Sequence, residues 1–151
     1  MISIAKLVKA FAFINKMFSQ QFKERLMAMD DVEFSNIRKK LNKTQKELSH
    51  LLGISLKAIR SYEQGRNDIP AHAERQILFL AAMKNRKGGN YCWKTKSCPS
   101  EWKANCPAWE FKVGNLCWLI NGTFSHGQNQ NTWKRKMAFC RKCPVFQEQM
   151  R

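Results

Sequence analysis

Between residues 34 and 80 the hydrophobic positions fall at helical steps. Phe34, Ile37 and Leu41 form one stripe; Leu48, Leu51 and Leu52 a second; Ile59 and Tyr62 a third; Ala73, Ile77 and Leu80 a fourth. Steps of three and four place each set on one face of a helix and leave the polar residues on the other. The polar punctuation agrees. Thr44 followed by Glu47 has the spacing of a capping box, in which the hydroxyl takes an orphan backbone N–H and the carboxylate reaches back. Gly53 suits a helix end at positive φ, and Ser55 caps a third helix to about Glu63. Gly65 ends that helix, and Pro70 suits the first turn of a fourth. The pattern predicts a mainly α bundle of four to five helices over residues 31–84.

The flanks read differently. Leu7, Phe11, Ile14 and Phe18 make a stripe in an amphipathic extension, residues 1–30, that packs on the domain or touches a membrane surface. Lys6, Lys9 and Lys16 interrupt its apolar run and no small-residue cleavage site follows. It fits neither a signal peptide nor a transmembrane helix, and no stable membrane insertion is expected. Codons for Lys23-Glu24-Arg25 can resemble a ribosome-binding site, so Met27 or Met29 is an alternative start that would leave residues 1–26 outside the native chain. Beyond the bundle, residues 85–91 are basic and contain Gly88-Gly89, a linker composition. Residues 92–147 hold all six cysteines and all five tryptophans without a long periodic run. A small, Cys-rich, mostly irregular α+β domain is expected there.

Charge narrows the partners. The 151 residues include 27 Lys and Arg against 11 Asp and Glu, a net +16. Such an excess calls for a polyanion, nucleic acid first. Residues 1–87 carry 17 basic and 8 acidic side chains and residues 88–151 carry 10 and 3, so the charge divides into +9 and +7.

The run TQKELSHLLGISLKAIRSYEQGRNDIP resembles the phage-repressor type of helix-turn-helix, the Cro-like or XRE family of bacterial regulators. Gln45, Glu47, Leu48, Gly53, Ser55, Ile59, Tyr62, Glu63 and Gly65 fall in register without gaps over roughly residues 33–82. The resemblance implies a compact bundle whose third helix reads the major groove of double-stranded DNA, usually as a homodimer. It also implies roles. Gln45, beside Thr44, clamps a phosphate and buttresses the recognition helix. Ser55, Leu56 and Lys57 open that helix, Lys57, Arg60 and Ser61 lie on its outer face, and Lys43 and Arg66 meet phosphate. For any single Lys, a solvated surface charge is the plain competing reading.

The cysteines are Cys92, Cys98, Cys106, Cys117, Cys140 and Cys143, the last two a C-x-x-C pair able to direct both thiolates at one metal. Three of them precede proline, and Cys-Pro also occurs in iron–sulfur ligation. The surrounding Lys94, Lys96, Lys103, Lys112, Lys134, Lys136, Arg141 and Lys142 are expected to lower thiol pKa values, and the tryptophans to supply a core. Four readings stand open: an iron–sulfur cluster or other redox metal, a structural zinc on four of the six, a thiol–disulfide switch, or plain packing. The segments CWKTKSC, NCPAWEF, LCWLINGT and KMAFCRKCPVF resemble the small two-CW domain of bacterial regulators and sensory proteins. Where relatives often carry a further Cys, this chain has Ser125 and His126. His50 and His72 read as surface or packing residues, and Asn121-Gly122-Thr123 as a tight turn.

These features together predict a cytoplasmic, sequence-specific DNA-binding transcriptional regulator. Its Cys-rich half binds metal or an iron–sulfur cluster, or senses redox state. The alternative is an antitoxin-like or adaptor module that grips a protein partner and carries structural zinc. No catalytic triad stands out and no βαβ pattern accompanies the C-x-x-C pair, so no enzyme is expected.

Overall fold

Asp30 starts the first helix: its carboxylate accepts the Glu33 N–H at 2.7 Å, closing one of the four orphan donors of the first turn. In the computed structural model, which describes residues 28–85, 90–125, 128–130 and 132–151, α1 runs Asp31–Lys40. Acidic residues sit in its first turn and Arg38, Lys39 and Lys40 in its last, matching the helix dipole. The Thr44 capping box forms in full and opens α2 (Gln45–Leu52), which Gly53 closes at φ +63°. Ser55 caps α3 (Leu56–Glu63) through the Ala58 N–H at 3.1 Å. Pro70 stands just before α4 (Ala71–Lys84), one residue earlier than its expected place inside the first turn.

The second half is built from shorter pieces: α5 (Cys92–Thr95), α6 (Ser100–Ala104), α7 (Pro107–Glu110), a 3-10 helix (Gly114–Leu119), a hairpin of β1 (Thr123–Ser125) and β2 (Gln128–Gln130), α8 (Trp133–Cys140) and α9 (Pro144–Met150). The strands are antiparallel with Phe124 opposite Asn129. Gly122 at φ +79° makes the turn into β1, as the Asn-Gly-Thr triplet predicts. The mainly helical bundle with a small, irregular second part is thus the observed architecture.

Phe34, Leu48, Ile59, Ile77 and Leu78 are fully buried, and Tyr62 meets Phe34 edge to face. Leu51 is half exposed and not part of the buried face, which on α2 consists of Leu48, Ser49 and Leu52. The same hydrophobic cluster continues into Trp118, Trp133, Met137, Val145 and Phe146. Both halves therefore share one core. His50 and His72 are exposed. The stripe of residues 7–18, Gly88, Gly89 and His126 lie outside the described residues.

Candidate functional site

The outer face of α3 is where a groove would be read. Lys57 and Arg60 are exposed there, and among the described residues their side chains form no hydrogen bond or ion pair. Ser55 is exposed at the helix start, Leu56 and Ser61 are half-buried at its edge, and Arg66 is exposed just beyond its end. Lys43 is half-exposed, 3.9 Å from Glu47, while the Thr44 hydroxyl is held in the capping box. The Gln45 amide donates to Glu63 Oε2 at 2.7 Å and ties the start of α2 to the end of α3.

Glu63 is the centre of a brace that sequence reasoning missed. Arg38 of α1 grips it with two bonds, Nε to Oε1 at 2.5 Å and Nη2 to Oε2 at 3.0 Å, and also donates to the Lys43 carbonyl at 2.8 Å. Burial alone would raise the Glu63 pKa. The Arg38 and Gln45 hydrogen bonds outweigh it and hold the carboxyl below its ordinary range. The bond to Glu63 raises Arg38 in turn. A readable signal existed: Arg38 and Glu63 each stand four residues after a core position, Phe34 and Ile59, and so share the inward edge of their helices.

The six thiols are all unpaired, with Cys106 and Cys143 buried and the others partly exposed. The structure packs Cys92 and Cys117 against the same core, close enough for each thiol to shift the other. The Cys92 thiol, with Lys136 and Lys96 adding positive charge, lowers the Cys117 pKa to about 7 despite burial, and Cys117 pushes that of Cys92 upward. The expected general lowering by basic neighbours does not occur. Burial raises Cys98, and pushes Cys140 up to about 12. Several of the bases serve elsewhere: Lys103 and Lys112 lie over the Trp109 ring at 5.3 and 4.1 Å, and Arg141 pairs with carboxylates.

Lys136 is 1% exposed. Its ammonium donates to the Ile120 carbonyl and the Thr123 hydroxyl. Burial lowers its pKa, while the fields of Cys140, Cys117, Cys106 and Cys92 oppose that shift. Lys136 is thus a buried amine beside Cys117, whose thiolate its positive charge favours. Among the described residues no three His, Cys, Asp or Glu side chains converge as a metal site. In the C-x-x-C pair, Cys143 belongs to the hydrophobic core and Cys140 packs against it from outside.

Residues 35–72 match the helix-turn-helix family. The matched stretch holds most of α1, all of α2 and α3 and the start of α4. It supports a DNA-binding regulator, a class generally without enzymatic activity. The match stops short of the Cys/Trp-rich half. No curated protein and no solved structure is significantly similar to the chain. Among the described residues no helix is long and apolar enough to cross a membrane.

The helix-turn-helix is tied to the thiol-rich half by charge as well as by the shared core. Arg141, one residue past Cys140, donates to Glu33 of α1 at 2.7 Å and to Glu74 of α4 at 2.8 Å. Glu74 is buried and also accepts the Trp133 indole N–H at 2.8 Å. Burial would lower the Arg141 pKa, but the two carboxylates raise it. Arg75 lies over the Trp133 ring at 4.5 Å and donates to Asn121 at 3.0 Å.

Proposed function

We propose that the chain is a cytoplasmic, sequence-specific transcriptional regulator. It reads double-stranded DNA with α3 as a homodimer, and its thiol-rich half senses state. The carrying observation is α3 itself, with Lys57 and Arg60 unengaged on the outside and Glu63 locked to Arg38 and Gln45 behind. A braced helix presents its polar face without a fresh ordering cost, and Lys or Arg bonded to guanine is the commonest specific contact. Lys43 and Arg66 flank it as phosphate contacts. Two copies place their helices about 34–36 Å apart, one helical turn. Of the metal, cluster and redox forms of sensing, the paired Cys92 and Cys117 support redox best.

The test is to select binding duplexes for the full chain from a random library. Its affinity for the selected duplex is then compared with that for a scrambled one at fixed salt. Preference for the selected duplex is expected, falling steeply with salt. Lys57→Ala with Arg60→Ala should abolish that preference and leave the circular dichroism unchanged. Equal affinity for both duplexes, or full preference in the double variant, contradicts the reading.

A further inference from the structure

We propose that Cys117 and Cys92 form a hydroperoxide-reactive thiol pair, in which Cys117 is oxidised first and Cys92 resolves it into an intrachain disulfide. Juxtaposition carries the assignment. Cys92 opens α5 and Cys117 lies in the 3-10 helix, and the fold packs both against the same hydrophobic core, where each thiol is the other's largest electrostatic influence. Both are partly exposed, whereas Cys106 and Cys143 are buried. The approach of α5 to the 3-10 helix is fixed by Trp93: its ring covers Gly114, where any side chain would collide with it. Trp93 is itself held by the stacked Tyr91 ring at 4.7 Å and the edge-on Trp109 at 4.9 Å. A disulfide, with its sulfurs about 2.0 Å apart, would close across this seam.

The chemistry balances. The Cys117 thiolate attacks the terminal oxygen of the hydroperoxide. The O–O bond breaks, and the alkoxide leaves and takes a proton from solvent, giving an alcohol, or water from hydrogen peroxide. Cys117 is then a sulfenic acid. Cys92 attacks the Cys117 sulfur as its own proton departs. The S–O bond breaks, and hydroxide leaves with that proton as water. Two thiols have lost two electrons and the hydroperoxide has gained them. The Lys136 and Lys96 charges favour the attacking thiolate.

The disulfide would fasten α5 to a helix whose next residue, Trp118, is fully buried. Trp118 donates to Gln149 Oε1 at 2.9 Å and meets Phe146 edge-on, and the Gln149 carbonyl accepts from Asn85 just past α4. These contacts connect the thiol pair to the helix-turn-helix. That consequence rests on the regulator reading; the thiol chemistry does not.

The test treats the reduced full chain with hydrogen peroxide, alkylates the remaining thiols and maps the peptides by mass spectrometry. The expected product has Cys92 joined to Cys117 and the other four thiols alkylated. In Cys92→Ser, dimedone should trap a sulfenic acid on Cys117; in Cys117→Ser, Cys92 should carry no peroxide-dependent adduct. A first-formed disulfide between any other pair overturns the assignment, as does a wild-type Cys117 still fully alkylated after peroxide. So does a metal ion bound at this pair such that oxidation occurs only after chelation. Mapping on the wild-type chain needs neither a variant nor DNA, so failure of the thiol chemistry and failure of the regulator reading give different results.

Discussion

The two halves of the chain bury themselves with different materials. Residues 31–84 form helices of 8 to 14 residues, three of them opened by side-chain caps, around Phe34, Tyr62 and aliphatic groups. Residues 92–150 form helices of 4 to 8 residues with no side-chain N-cap among them. Their interior holds Trp118, Trp133, Lys136 and Gln149, each hydrogen-bonded. A buried polar group is costly when left alone, so this half depends on particular pairings and not on burial as such.

That contrast can be broken at its largest contact first. Trp118→Ala should cost about 3–5 kcal/mol through the cavity it leaves. Because the core is continuous, helical circular dichroism and tryptophan fluorescence should lose stability together in one thermal transition. Melting of the second half alone would separate the two units. Next comes the charged tie: Arg141→Met leaves Glu74 buried without its cation and should cost about 3 kcal/mol in chemical denaturation. A neutral result would mean that the apolar core alone joins the halves.

Within the bundle, Glu63→Gln should cost about 2 kcal/mol at neutral pH, since the charge-assisted bonds of Arg38 and Gln45 lose their acceptor. The sign with pH follows from a native pKa below the ordinary 4.5. The Glu63 contribution is complete above the unfolded value and disappears as pH falls through the native one. The variant's acid limb should therefore be flatter; an unchanged limb would remove Glu63 from the brace. The smallest effect is at the thiols. Alkylation of Cys117 in the reduced chain should rise with pH to half its maximum at about 7. Lys136→Met should move that midpoint upward by removing a charge that favours the thiolate. A midpoint equal to that of Cys140 would make the thiols equivalent.

The same difference in materials governs what the residues disclose in order. Caps, stripes and turn glycines are local, so α1 to α4 and the outer face of α3 are legible along the chain, with Leu51 the residue whose spacing misleads. Arg38 and Glu63 are half legible, through their four-residue offset from core positions. The Cys92–Cys117 pair is set by distant segments meeting across Trp93 and Gly114, which no periodicity marks; the repeated Cys-Trp dipeptide is its one trace. Lys136 is legible as a base near thiols, but nothing in the run Lys134-Arg135-Lys136 marks it as the one of the three that is buried.

In the proposed regulator the thiol-rich half acts on the DNA-reading half. The decisive experiment measures the affinity of the full chain for its selected duplex before and after peroxide oxidation, with Cys92→Ser alongside. The wild-type affinity should change and return with dithiothreitol, and the variant should show no reversible change. Identical affinity of the reduced and the disulfide-mapped wild-type chain would disprove the coupling.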